Sequence, residues 1–443
     1  MDDLAEHDGI TIRDNVVHDV MGRSDRGGDH KSFYLSHGIG ADLPVNGGYI
    51  KGLTIADNYV RDSHVNGIVI CVSDSPLIEY NVSDLAGTNA VNPQNIAGIW
   101  GWADDNPTFQ HNEVSNLIVH TNDSEAWDCD GYMTGACTYQ DNYDHNNYGG
   151  IILNCLACGG YSASIVFRDN VSVNAWRIVS NGGSSAISFL FANNTIDCGG
   201  KSASIGLLAD TTVADNIFTG AAAGFTLPAG PAYQHNTYLG FTAASSDPAP
   251  SSADRKFTAP GTANYGINSV GGYQLGTGSP AYQSGIVLSG ASATDYWGNP
   301  VSATAPNRGA YGGPALGAAT CTDDSSSAIS YSSGWNSSGS TGRGSGLDHW
   351  SNTTGAAAGF TFTGTELTYY GSQTPNNGIA TVSTYGGPAV DVNLYASAKR
   401  LGLPVYTSPV LATGTHTVTL TVSGRTDPRS TDSYVSLDAF TVR

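Results

Sequence analysis

Hydrophobic and polar positions alternate in short, recurring phrases along the first half of the chain. Thr11-Ile12-Arg13-Asp14-Asn15 and Thr54-Ile55-Ala56-Asp57-Asn58 each set an isoleucine between polar neighbours and close on an asparagine. Variants end at Asn81, Asn112, Asn142, Asn170, Asn194, Asn216 and Asn236, in steps of 43, 23, 31, 30, 28, 24, 22 and 20 residues. Alternation over a few β-branched residues is a strand signal. Its return every 20–30 residues predicts a solenoid with one such strand per coil. The first step, about twice the later ones, reads as two coils.

A second strand follows each asparagine bend. The candidates are Ser32-Phe33-Tyr34-Leu35-Ser36, Gly67-Ile68-Val69-Ile70-Cys71, Gly98-Ile99-Trp100-Gly101-Trp102, Ala126-Trp127-Asp128-Cys129-Asp130 and Gly150-Ile151-Ile152-Leu153-Asn154. Successive side chains on a strand face opposite ways. Aligned, Phe33, Ile68, Ile99, Trp127 and Ile151 form one apolar row, and Leu35, Ile70, Gly101, Cys129 and Leu153 another. Both belong inside. The rows between them then face out: Tyr34, Val69, Trp100, Asp128 and Ile152, and Ser36, Cys71, Trp102, Asp130 and Asn154. A slip of one residue reverses every assignment.

The asparagine phrases resemble those of right-handed parallel β-helix proteins of the pectate-lyase-like type, a class rich in enzymes acting on polysaccharides. The resemblance implies that the asparagines stack in one bend and that the chemistry lies on an outer face. Asp128 and Asp130, two apart on a strand, stand roughly 6.5–7 Å from each other, a spacing that suits an acid and a base on either side of a glycosidic bond. They are the expected catalytic pair, beside the indoles of Trp100 and Trp102. Loops before the strands bring His30, Lys31, Asp123 and Glu125 towards the same groove. Asn154, His145 and Arg177 complete the expected substrate-binding set. The function expected is hydrolysis of a polysaccharide or oligosaccharide by a secreted enzyme. The alternatives are a lyase acting on a uronate polymer, with Lys31 or Arg177 neutralising the carboxylate, and a non-catalytic glycan-binding surface protein.

Composition narrows the partners. The 443 residues include 56 glycines, only 13% are charged, and 38 acidic against 18 basic residues give a net charge of −20. Nucleic acid is excluded as a partner, because phosphate binding needs a basic face. No apolar run reaches the roughly 20 residues of a membrane helix. No cofactor is required, although an acidic surface can also host Ca²⁺. A monomer is expected. Seven cysteines are present, and Cys155-Leu-Ala-Cys158 suits a local disulfide better than half a zinc site. The chain enters its first repeat without a leader or a capping segment, which reads as a fragment boundary with the precursor starting upstream.

Residues 1–315 are expected to form the β-helix and its closing segment, 316–328 a linker, and 329–443 an antiparallel β-sandwich. The closing segment is marked by Thr294-Asp295-Tyr296-Trp297-Gly298-Asn299-Pro300 and Asn307-Arg308-Gly309-Ala310-Tyr311. In the sandwich, Phe360-Thr361-Phe362-Thr363, Ala380-Thr381-Val382-Ser383 and Thr415 to Val422 alternate cleanly. Ser333-Gly334-Trp335 and His349-Trp350-Ser351-Asn352 resemble a jelly-roll module appended to secreted carbohydrate-active enzymes. That resemblance implies glycan binding, with Trp335, Trp350, Tyr369 and Tyr370 as the candidate aromatic residues.

Overall fold

The structure is a computed structural model that describes residues 7–20, 37–41, 48–88, 96–118, 123–155, 163–181, 188–207, 210–222, 225–317, 320–339, 347–384, 387–397 and 399–443. The chain divides into two units. The first comprises 1–255, 280–296 and 300–312, and the second 256–279, 297–299 and 313–443.

The first unit is a parallel β-helix of three long sheets. One nine-stranded sheet runs from Thr11–Arg13 to Ala232–Gln234, a second from Val16–Val20 to Thr237–Tyr238, and a six-stranded sheet from His37–Ala41 to Val179–Asn181. Every pairing within them is parallel, as between Ile55 and Ile78 or Val114 and Asp144. The asparagines occupy the bend between the first two sheets. Each backbone N–H and each side-chain amide donates to the next asparagine's Oδ1, for example Asn112 to Asn142 at 2.9 and 3.1 Å. The row runs without a break from Asn15 to Asn236. The residue before each asparagine turns the corner with a positive φ, as at Asp14, Asp57, His111 and Asp215. Asp and Asn tolerate that conformation better than most residues.

Asn15 bonds directly to Asn58, and Thr11 pairs with Thr54. The first step is therefore one coil enlarged by an insertion, not two. Eight rungs at about 4.8 Å give a row about 38 Å long. Beside it, inside the solenoid, Phe109, Tyr139, Phe167, Phe191, Phe218 and Tyr238 stack coil on coil, with neighbouring centroids 4.4–6.4 Å apart. The core is thus a continuous apolar column with a polar rail at its corner. Residues 280–296 and 300–312 fold back along the outside: Ser292 donates to Asp169 at 2.7 Å, the Gly309 amide to the Asp215 carbonyl, and Arg308 to the Asn236 carbonyl.

The six-stranded sheet corrects two expectations. The strand beside Asn66–Cys71 is His37–Ala41, with Ile39 opposite Ile68. The expected strand 32–36 lies outside the described residues. The register of Gly150–Asn154 is shifted by one, so that Trp127 faces Ile152, Asp128 faces Leu153 and Cys129 faces Asn154. Runs of three isoleucines and leucines carry no internal mark of which residue is in phase, and coil length decided it.

In the second unit a five-stranded and a four-stranded antiparallel sheet enclose one core. Phe360 of the former stacks on Phe440 of the latter at 5.3 Å. The segment 316–328 is more than a linker: Thr320–Asp323 pairs with Ala439–Val442. Tyr369 and Tyr370, expected to be exposed, are 0% and 6% accessible. Their strand, Leu367–Gln373, is buried along its whole length.

Candidate functional site

The strand Glu125–Cys129 lies between Ala97–Trp102 and Gly150–Asn154. From inside, three contacts fix it. The Trp127 indole N–H donates to Asp144 at 3.4 Å. The Tyr139 hydroxyl donates to the Asp128 carbonyl at 2.7 Å. Cys129 is disulfide-bonded to Cys137. Ala126 and Trp127 are consecutive, yet both belong to the interior core. Alternation therefore breaks between them, and Glu125 and Asp128 flank the inward pair on the outer side. The preceding coils meet the same constraint with glycine: a Cβ at Gly98 would collide with the Val114 side chain.

Four carboxylates gather along this edge. Glu125 is fully buried, and burial raises its pKa to about 7, although Ser180 and Arg177 pull it down. Asp128 is 7% exposed, and its Oδ1 has no hydrogen-bond partner among the described residues. Burial first, then the charges of Asp130, Asp123 and Glu125, holds it well above the ordinary carboxylate range. Asp130 is half-buried; burial raises it to about 6 against the Gly131 amide, which donates to its Oδ1 at 2.6 Å. Asp123, also half-buried, pushes all three upward. It reaches them because Ser124, with φ of 100°, turns the backbone out of the strand direction. Such a conformation in a non-glycine residue stores strain and often sits at a functional position.

Asp128 and Asp130 thus lie on the outer side, as expected, but only Asp130 is open to solvent. Trp100 is covered, 3% exposed, and packs on Val69 and Ala97. Trp102 is partly exposed and meets Tyr132 edge-on at 5.6 Å. Tyr132 is 39% exposed and flanks Asp130 in sequence. Nothing in the alternation marked it, because it lies in the turn after the strand. Asn154 sits in the register of Cys129 rather than Asp130 and is buried. Arg177, expected to meet substrate, stands 3.4 Å from buried Glu125 as its counter-ion. His145 belongs to the second sheet, 2% exposed, with Nε2 2.8 Å from Glu113 and its ring on Tyr143; it is not part of this edge. His30 and Lys31 lie outside the described residues. Among the described residues no group of three His, Cys, Asp or Glu side chains is arranged to hold a metal ion. Cys155 is disulfide-bonded, and Cys158 is outside the described residues.

No family model matches the chain. Over 227 residues it is 32% identical to a lacto-N-biosidase of Bifidobacterium longum subsp. longum, covering 44% of this chain and 13% of that protein. The chain spans only a small part of that relative's length. Among solved structures, a GH136 lacto-N-biosidase from Eubacterium ramulus is 21% identical with a TM-score of 0.30, covering 43% of this chain and 40% of that one. A family two carbohydrate esterase from Cellvibrio japonicus is 15% identical with a TM-score of 0.21, covering 28% and 33%.

Proposed function

We propose that the chain is a glycoside hydrolase whose reaction takes place along the outer edge of the Glu125–Cys129 strand. The carboxylate cluster carries the reading. Asp130 is half-exposed with its pKa raised to about 6, and Asp123 is the other carboxylate of the cluster that solvent reaches. Hydrolysis of a glycosidic bond needs one carboxyl group that can give a proton and one that stays charged. Asp130 is the acid in this scheme and Asp123 the charged partner. Asp128, expected from spacing alone to be one of the pair, is too deeply covered to meet a sugar. The charge of Asp123, added to burial, helps to keep the proton on Asp130. Trp102 and Tyr132 offer aromatic faces for a sugar ring.

The similarity to a lacto-N-biosidase suggests an oligosaccharide that ends in a lacto-N-biosyl unit as the substrate. The disulfides suit secretion, because such bonds persist in oxidising compartments; among the described residues no helix is long and apolar enough to cross a membrane. The test is release of the disaccharide from such an oligosaccharide, followed by mass spectrometry. Asp130→Asn and Asp123→Asn should each lower kcat by about 10³-fold without lowering the thermal midpoint. Full activity in both would move the reaction away from this edge. Loss in both Asp130→Asn and Asp128→Asn, with full activity in Asp123→Asn, would restore the Asp128 and Asp130 pairing.

A further inference from the structure

The second unit contains a cleft of about 310 Å³ that the proposed hydrolysis does not use. Its floor is one face of the three-stranded sheet that contains Leu347–Ser351. Asp348 and Trp350, two apart, point to that face, and their cross-strand neighbours there are Ser338 and Ser436. Ser372 adjoins Ser436, whose hydroxyl accepts from its backbone N–H at 2.8 Å. Serines beside a tryptophan leave a hollow where larger side chains would have filled the surface.

The walls are held in place before any ligand arrives. Thr374 donates to the side chains of Asn376 and Asn377, the Asn377 amide donates to the Ser372 carbonyl at 2.7 Å, and the Gly378 amide to the Tyr434 carbonyl at 2.8 Å. The Trp350 indole N–H is tied to the Ser338 hydroxyl at 3.0 Å, which fixes the ring plane. Tyr434 stands against it at 5.4 Å and 74°, so the two rings form an angled corner, each partly exposed. The opposite face of the same strand is closed: His349 bonds to Asp324 at 2.7 Å and stacks on Tyr331, where Trp335 also packs. Trp335 is therefore separated from Trp350 by the sheet.

One polar atom in the floor has no partner among the described residues. Asp348 is 6% exposed; its Oδ2 accepts from Ser372 at 2.9 Å, and its Oδ1 accepts from nothing among the described residues. A buried carboxylate oxygen left in this state is costly unless a donor reaches it. Asn376 and Lys399 stand exposed at the rim and offer donors on the other side.

We propose that this cleft binds one or two units of a neutral glycan. An aromatic corner takes the apolar face of a pyranose. The Asp348 Oδ1 accepts from a sugar hydroxyl, while Asn376 and Lys399 donate to ring or hydroxyl oxygens. A carboxylated or sulfated sugar would set its own charge against Asp348, so the ligand is neutral. The volume lies at the lower end for small-ligand sites, enough for one or two rings and too little for a long segment of chain. The first unit would then act on a glycan that the second unit holds, but neither role depends on the other.

The experiment is a binding screen of the full chain on immobilised neutral oligosaccharides built from glucose, galactose, mannose and N-acetylglucosamine, with galacturonate and sulfated galactose oligomers alongside. At least one neutral oligosaccharide should be retained. Trp350→Ala and Asp348→Asn should each weaken that retention at least tenfold, and Asn376→Ala severalfold. Because Asn376 and Lys399 are exposed, Asn376→Ala and Lys399→Ala test the cleft even if the Trp350 variant fails to fold. Hydrolysis of a soluble substrate should be unchanged in both rim variants. The proposal is overturned if no neutral oligosaccharide is retained, if both rim variants bind like the parent, or if the anionic oligomers bind better than every neutral one.

Discussion

Asp130 owes its raised pKa mainly to burial, and that has a direct kinetic consequence. An acid must be protonated to act, so kcat/KM should fall as pH rises through about 6. In Asp130→Asn the residual activity should lose that alkaline decline. A flat wild-type profile between pH 5 and 8 would remove Asp130 from the acid role. At this scale the sequence was informative where spacing alone carries the meaning. Two aspartates two apart on a strand announce themselves. Asp123 was visible only as a loop residue, because the positive φ at Ser124 that turns it towards the others is not encoded in hydrophobic pattern. Burial of Trp100 and the pairing of Arg177 with Glu125 depend on neighbours from other coils, which alternation within one strand cannot show.

The strand that holds the carboxylates is anchored by a short covalent loop. Cys129 and Cys137 are 8 residues apart, and closing a loop of that size restricts the unfolded chain by about 2–3 kcal/mol. Replacing both cysteines by alanine should lower stability by about that amount, measured by denaturant unfolding, and should weaken catalysis as the strand end loosens. Unchanged stability and activity would mean that the Trp127 and Tyr139 contacts suffice. The asparagine row makes a second demand. In Asn142→Ala the backbone and side-chain amides of Asn112 lose their acceptor and the Phe109 carbonyl loses a donor. A cost of about 3 kcal/mol follows from leaving such groups buried and unsatisfied; a cost under 1 kcal/mol would show that the coils slide to repair the gap. Elements with one wet face were legible from sequence: Ala357–Gly364, Ile379–Thr384 and Gly414–Val422 alternate in burial as they do in polarity. Leu367–Gln373 was not, because a strand covered on both faces has no reason to alternate.

Across the whole molecule, burial raises many carboxyl groups above their usual range. Burial raises Glu125 to about 7, Asp130 to about 6, and Asp144 and Asp215 to about 7. It also raises Asp141 and Asp169, which repel each other. Each folded value lies above the unfolded value near 4, so the folded chain binds more protons between them. Stability from these groups is complete below about 4 and is lost as pH rises through 6 to 8. The thermal midpoint should therefore be higher at pH 5 than at pH 8. Asp141→Asn should raise it at pH 8 and flatten the slope. A midpoint that climbs with pH over this range would contradict the burial seen here. The two-part architecture and the parallel solenoid were legible because repeats and alternation are long-range patterns. The return of 256–279 to the second unit was not, since those residues follow no period.

The asparagine row also has a direction. Along the row, each backbone N–H and one side-chain hydrogen point to the next, C-terminal asparagine, and the second side-chain hydrogen goes to a carbonyl of the coil before. Each Oδ1 takes hydrogens from the asparagine before, so the same residue can continue the row indefinitely but can never end it. The end is Asp247. Its Oδ2 accepts from the Asn236 backbone and side chain and from Tyr238, and its Oδ1 from the His235 and Ala249 amides. Burial alone would raise this carboxyl, but those donors outweigh it and hold its pKa below the usual value. The stability it contributes is present above the unfolded value and fades as pH falls through the folded one. An asparagine at 247 would point hydrogens at hydrogens. Asp247→Asn, a change of one atom, should therefore cost more in denaturant unfolding than Asn216→Asp, because the last member of a one-way row is the only one that has to refuse to give.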